Sequence, residues 1–328
     1  GIDPGDRVAD CLEESCGYHG KVSSFVLKED GQYYCPSCGA VTEISENAST
    51  SVYSWFVESA VKDVATQMIE EADLDPNDQK TMDLYIELIS NGGYHIYTTL
   101  DMNVQQQVDK IYQNLDEIPE TNSVQQLQSG IVVIDNRTGD IVAMAGGVGE
   151  KDTFFAYNRA EVTLQPGSSL KPLTVYGPAF ELELITPATI QKDMPLYYTT
   201  DPEKPEEKPK PYPLNTGRAN YYYTRNILFG LTQSVNTVSV HTLNTLGLEY
   251  SFDFAKNKFG LDHLVERYVN SNGTVLTALG ISPLAMGAPT FGVTVREMSA
   301  AYASFANGGV YREARTFTKV YDNKGNLI

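Results

Sequence analysis

All four cysteines of this chain, Cys11, Cys16, Cys35 and Cys38, fall within the first forty of its 328 residues. Sulfur chemistry can therefore staple only a small front module, and everything behind it must be held by its own buried core. A chain of this length suits two or three domains and can bury a substantial core. The formal net charge of -18 argues against a nucleic-acid or anionic-lipid surface, because phosphate binding is driven by lysine and arginine. The longest uncharged run, residues 268–295, contains Pro283, Pro289 and several glycines, so it reads as loops and helix starts and not as a membrane span. No signal peptide is expected, and the opening at Gly1 without methionine suggests a piece of a longer protein whose anchor lies elsewhere.

Residues 1–46 form the cysteine module. Cys11 and Cys16 make one pair and Cys35-Pro36-Ser37-Cys38-Gly39 holds the second, with a hairpin turn near Glu29-Asp30-Gly31 between them. A Cys-x-x-Cys turn followed by glycine lets two thiolates converge on one ion, and two pairs give four-sulfur coordination. The pattern resembles a zinc ribbon, which implies a structural zinc on Cys11, Cys16, Cys35 and Cys38. The wider gap in the first pair leaves His19 as a substitute ligand. Disulfides of an exported protein and a redox pair remain open alternatives. None of the three makes the module catalytic.

Residues 47–128 read as a linker region. Tyr53, Phe56, Val57, Ala60, Val61 and Val64 recur at helical spacing; a break at Asp75-Pro76-Asn77 and a second helix through Met82 to an Asn91-Gly92-Gly93 stop follow. Tyr94 to Asp101 has the β-branched and aromatic content of a strand, and a helix starts at Asn103. From Ser129, two apolar runs flank Asn136-Arg137-Thr138-Gly139 and predict a hairpin. Residues 199–213 hold five prolines and read as an exposed, extended loop.

The chemistry concentrates at Gln165-Pro166-Gly167-Ser168-Ser169-Leu170-Lys171-Pro172, a tight turn feeding a helix. The spacing of three places Ser168 and Lys171 on one face. A serine hydroxyl becomes a nucleophile when a neighbouring base takes its proton, and a lysine whose pKa is lowered by burial can be that base. Ser59-Ala60-Val61-Lys62 repeats the spacing inside an acidic helix with no turn before it. Further on, a helical segment from Asn226 to Leu246 breaks at Gln233-Ser234-Val235-Asn236-Thr237. Ser234 and Asn236 can then reach one cleft only from a loop or a helix start. Ser45-Glu46-Asn47 copies that pattern in a polar linker.

Tyr157-Asn158-Arg159-Ala160, Gln165 to Pro172, and the Ser234-x-Asn236 segment in this order resemble the penicillin-binding proteins, and the Tyr94 to Asp101 stretch resembles the linker of their bifunctional, class A type. The resemblance covers about residues 48–328. It implies an α/β (α+β) fold of the penicillin-binding-protein/β-lactamase-like serine transpeptidase kind, with the transpeptidase domain over residues 129–328. It also implies Ser168 as the nucleophile, Lys171 as its base, Ser234 as a proton relay and Asn236 as a holder of the substrate amide, with no cofactor for catalysis. Peptidoglycan stem peptides and β-lactams are the implied partners, and the outer face of the bacterial cytoplasmic membrane is the implied location of a parent protein.

The family's third motif, Lys-Thr-Gly or Lys-Ser-Gly, occurs nowhere in the chain. Arg137-Thr138-Gly139 mimics it only superficially, before the serine and in a turn. The expectation is therefore a domain truncated at its C-terminus, and glycosyltransferase motifs are missing too. A β-lactam sensor domain and a non-catalytic cell-wall interaction module are the competing readings.

Overall fold

The computed structural model describes residues 8–10, 19–21, 26–28, 32–42, 52–119, 121–200, 204, 206–215 and 221–328. The chain divides into two compact units, residues 1–54 with 151–154 and residues 55–150 with 155–328.

In the smaller unit β1 (Val8–Asp10) pairs antiparallel with β2 (His19–Lys21). β3 (Val26–Leu27), β4 (Tyr33–Tyr34) and β5 (Val41–Thr42) form a three-stranded antiparallel sheet. Between β4 and β5 the second cysteine pair makes a tight turn. The Gly39 amide donates to Cys35 O at 2.9 Å, and the Cys35 amide donates to Ala40 O at 2.9 Å. Gly39 holds φ +72°, a conformation that glycine adopts without steric cost. Cys35 is buried and Cys38 exposed. Cys11, Cys16 and the Ser45-Glu46-Asn47 copy lie outside the described residues.

The larger unit opens with α1 (Trp55–Glu71), α2 (Gln79–Asn91), β6 (His95–Thr98) and α3 (Met102–Gln113), then the hairpin of β7 (Ile131–Ile134) and β8 (Ile141–Ala145). After the turn at Ser168 come α4 (Gly177–Glu181), β9 (Ile190–Asp193), β10 (Tyr197–Thr199), β11 (Lys210–Tyr212) and β12 (Tyr223–Asn226). The remainder is α5 (Ile227–Thr232), α6 (Asn236–Leu246), α7 (Leu248–Phe259), β13 (Tyr268–Val269), β14 (Val275–Leu276), α8 (Ile281–Met286), α9 (Val295–Ala306) and β15 (Phe317–Tyr321). Among the described residues no helix is long and apolar enough to cross a membrane.

The Asp75-Pro76-Asn77 break separates α1 from α2, and the Asp78 carboxylate caps α2 by accepting from the Thr81 amide at 3.1 Å. α1 is buried on two sides. Phe56 and Ala60 join Val132, Ile141 and Met144, while Val61, Val64 and Ala65 join Ile89 and Val320. β6 pairs antiparallel with β15, which ties the start of this unit to its end. Behind the β7–β8 hairpin, Gln105 of α3 lies against the backbone of β8: its Oε1 accepts from the Met144 amide at 2.9 Å and its Nε2 donates to Met144 O at 3.0 Å. A side-chain amide thus satisfies strand groups that would otherwise stand unpaired. Arg137-Thr138-Gly139 is the hairpin turn, with Gly139 at φ +83° and Arg137 ion-paired to Asp135 at 2.6 Å.

Residues 199–213 differ from expectation at both ends, where β10 and β11 pair as an antiparallel hairpin. Tyr197 and Tyr212 stack across it with ring centroids 4.8 Å apart. That cross-strand aromatic pair supplies a contact that a proline-rich, charged composition conceals.

The largest core cluster is helical. Leu170, Leu173 and Tyr176 interlock with Val238 and Leu243 of α6, Phe252 of α7 and Leu284 of α8. Each such side chain contributes about 1.5–3 kcal/mol when fully buried, so the turn carrying Ser168 is anchored in this core cluster.

Candidate active site

The strand-like approach to the turn is fixed by backbone bonds to a distant segment. Leu164 and Val293 exchange two hydrogen bonds of 3.0 Å, and the Gly167 amide donates to Gly287 O at 3.0 Å. The Gln165 side-chain amide donates to Pro289 O. A Cβ placed on Gly287, at φ +75°, would collide with the Gly167 carbonyl. Only glycine permits so close an approach.

At Pro172 the chain has no amide hydrogen to offer the Ser168 carbonyl four residues back. The Lys171 amide takes that carbonyl instead, which tightens Gly167–Leu170 into a 3-10 turn. The next turn, Pro172–Tyr176, is correspondingly wide, and the Gly177 amide reaches back five residues to Pro172 O. Ser168 is exposed while Lys171, one turn on, is only 1% accessible.

The Lys171 amine meets three acceptors. Nζ donates to Asn236 Oδ1 at 2.7 Å, Ser234 O at 2.8 Å and Ser234 Oγ at 3.1 Å. These match the three N–H bonds of an ammonium group. Burial nevertheless disfavours the charged form and pushes the pKa of Lys171 from 10.5 down to about 8. An amine in this position can be charged and fully hydrogen-bonded, or can give up its proton near neutral pH.

Ser234 reaches the lysine because α5 and α6 do not join smoothly. The Val235 amide turns back to Gly230 O at 2.8 Å, and Ser234 sits at φ +51°, left-handed for a residue with a Cβ. Such a conformation costs of order 1–3 kcal/mol and persists only where surrounding contacts enforce it. Asn236 begins α6, and its Nδ2 donates to Leu214 O at 2.7 Å. The fold therefore brings Ser234 and Asn236 onto the Lys171 amine, with Ser168 on the adjoining turn. Leu214 and Gly287 also shape this site, and neither carries a sequence signal. His95 lies exposed on β6, apart from it.

Two cavities lie in the larger unit. One of about 460 Å³ lies beside the turn, lined by Leu164, Pro166, Ser169, Val293, Met298 and Tyr302, and the Tyr302 hydroxyl donates to Ser169 O at 2.7 Å. The other, about 630 Å³, surrounds Arg296, whose guanidinium forks onto Asp63 at 2.7 and 2.8 Å. Neither cavity is lined by any of the four motif residues.

Residues 129–326 match the penicillin binding protein transpeptidase domain. Penicillin-binding protein 1A of Clostridium tetani (strain Massachusetts / E88) is 30% identical over 295 residues, which cover 86% of this chain and 35% of the relative. The protein of the same name from Clostridium perfringens (strain 13 / Type A) is 31% identical over 310 residues, covering 88% and 43%. In three dimensions the chain is similar to PonA1 from Mycobacterium tuberculosis solved in complex with penicillin V, with TM-score 0.55, 20% identity and coverage of 83% of this chain and 63% of that one. Penicillin-binding protein 1A from Haemophilus influenzae gives TM-score 0.52 at 19% identity, covering 83% and 55%. The matched model and the shared fold define a transpeptidase type of domain. This chain belongs to the penicillin-binding protein family and is a transpeptidase region of the class A type. It spans about 35% to 43% of the length of those two curated relatives.

Proposed function

We propose that the chain carries the acyl-enzyme chemistry of a peptidoglycan D,D-transpeptidase, with Ser168 as nucleophile and Lys171 as base. The observation that supports this most directly is the buried Lys171 amine, drawn down to a pKa of about 8 and held against Ser234 and Asn236. In the neutral form Lys171 accepts the Ser168 proton as Oγ bonds to the carbonyl carbon between two terminal D-alanines. The negative charge that develops on the carbonyl oxygen is met by the backbone amide of Ser168, half of an oxyanion hole. The amide bond then breaks. Ser234, whose Oγ lies 3.1 Å from Nζ, passes the proton to the departing amine, and Asn236 holds the substrate amide. An amine of a second stem peptide displaces the acyl group, restoring Ser168 and forming the cross-link. β-Lactams acylate the same serine, and the parent protein works at the outer face of the cytoplasmic membrane.

Incubation with a fluorescent penicillin followed by peptide mapping tests the assignment. The label is expected on Ser168 alone, and label retained in Ser168→Ala overturns it.

For the front module the proposal is a structural zinc on Cys11, Cys16, Cys35 and Cys38. The turn that places Cys35 and Cys38 within one glycine-closed loop suits convergence of two thiolates. Elemental analysis is expected to give about one zinc per chain, with chelation unfolding this module and leaving penicillin labelling intact. A mass lower by two hydrogens per bridge, without metal, establishes disulfides instead.

A further inference from the structure

Helix α6 starts at the centre of the site without an ordinary cap. Its N-cap residue is Val235, whose side chain accepts no hydrogen bond. The first amides of a helix need acceptors from somewhere. Here the acceptor comes from a distant part of the chain: the Thr237 amide donates to Asn215 Oδ1 at 3.1 Å. Asn215 is in turn held by Asp193 at the end of β9, its Nδ2 donating to Asp193 Oδ1 at 2.8 Å. The same carboxylate oxygen accepts from the Thr237 hydroxyl at 2.6 Å, and the Tyr222 amide donates to Oδ2 at 3.2 Å.

The solvent exposure of these groups gives the arrangement its weight. Asp193 and Thr237 are 0% accessible and Asn215 6%. A carboxylate removed from water so fully is tolerated only when hydrogen bonds compensate it. Those bonds reach the immediate chain neighbours of the site. Thr237 follows Asn236, and Asn215 follows Leu214, the residue whose carbonyl accepts from Asn236 Nδ2 at 2.7 Å. Both sides of the Asn236 carboxamide contact are thereby referred to one buried carboxylate. With Nδ2 engaged by Leu214 O, Oδ1 is the atom left facing Lys171 Nζ at 2.7 Å. A negative charge beside the first turn of an eleven-residue helix is also favoured by the helix dipole.

We infer that Asp193 is a positioning residue: acting through Asn215 and Thr237, it caps α6 from outside the helix and fixes the orientation of Asn236 toward Lys171. This rests on the reading of Lys171, Ser234 and Asn236 as the reacting site. Asp193 touches no reacting atom. Its effect is on where Asn236 points.

The test uses the whole chain with two readouts. The first is the rate of acylation by a fluorescent penicillin, expected to fall about 10²-fold in Asp193→Asn, the scale on which small misplacements act. Thr237→Val is expected to lose rate in the same way and Thr237→Ser, which keeps the hydroxyl, to retain it. The second readout needs no substrate: hydrogen exchange at the Thr237 amide, read by NMR, is expected to quicken at least about tenfold in Asp193→Asn, the equivalent of one lost hydrogen bond. Amides in the second half of α6 should not change. A folded Asp193→Asn protein with parental acylation and parental exchange at Thr237 overturns the inference. Equal rates in Thr237→Val and Thr237→Ser overturn it as well, and this pair decides if Asp193→Asn fails to fold. A parent that takes no penicillin refutes the proposed function instead, and exchange at Thr237 then decides the positioning role by itself.

Discussion

Ser59 to Lys62 on α1 and Ser168 to Lys171 on the tight turn have the same spacing, yet the fold treats them in opposite ways. In α1 the serine is buried, at 3% accessibility, and the lysine is exposed. Ser59 Oγ donates to the Met144 sulfur at 3.3 Å and accepts from Asn158 Nδ2 at 3.2 Å, so it is a packing residue. At the turn the order is inverted: the serine faces outward and the lysine amine is withdrawn from water. A base needs its charged form disfavoured, which burial accomplishes, and a nucleophile needs access. What distinguishes the pairs is Pro172, which tightens the turn, and the left-handed Ser234, which supplies acceptors in the interior.

Substitution of the serines should give the largest contrast. Ser168→Ala is expected to abolish penicillin labelling, whereas Ser59→Ala is expected to label normally and to lower stability by about 1 kcal/mol for its lost buried hydrogen bond, measured by denaturant unfolding. Lysine replacement comes next. Lys171→Ala should slow acylation about 10²- to 10⁴-fold, the usual contribution of a positioned base, while Lys62→Ala should leave the rate unchanged. Equal rates for Lys171→Ala and parent would collapse the distinction between the pairs.

Gly287→Ala sharpens the comparison without touching either motif. Its new methyl group meets the Gly167 carbonyl at a left-handed backbone position, a strain of order 1–3 kcal/mol. Reduced acylation together with a lower melting temperature is the expected outcome.

The smallest effect is on pH dependence. Acylation should rise with pH and level off above about 8, as Lys171 loses its proton. Stability should follow a related course. Because the folded pKa of Lys171 lies below its ordinary 10.5, the unfolded chain binds more protons than the folded one between about 8 and 10.5. The contribution of this group to unfolding free energy therefore increases across that window. Melting curves of parent and Lys171→Ala, compared over this range, should diverge in that direction, and parallel curves would refute it.

Local physics made much of the molecule legible in its sequence. Three-and-four spacing marked α1, a proline-containing break separated it from α2, and the Asn136-Arg137-Thr138-Gly139 turn between apolar runs marked β7 and β8, because each signal lies within one element or one turn. The order of Ser168, Lys171, Ser234 and Asn236 pointed to the transpeptidase family, to which the matched domain assigns the chain. The hairpin of β10 and β11 was hidden in a proline-rich stretch, since its stabilising contact is between Tyr197 and Tyr212 across two strands.

The sequence by itself determined which residues could form a serine and lysine pair, and it offered two such pairs. Only the tertiary structure decided which lysine is withdrawn from water. That choice depends on Ser234 and Asn236 arriving from 63 and 65 residues away, on the Gly287 backbone pressing against Gly167, and on a carboxylate at Asp193 that no motif announces. Burial and long-range hydrogen bonding are properties of the assembled core, so a four-residue spacing cannot encode the pKa of the amine it contains.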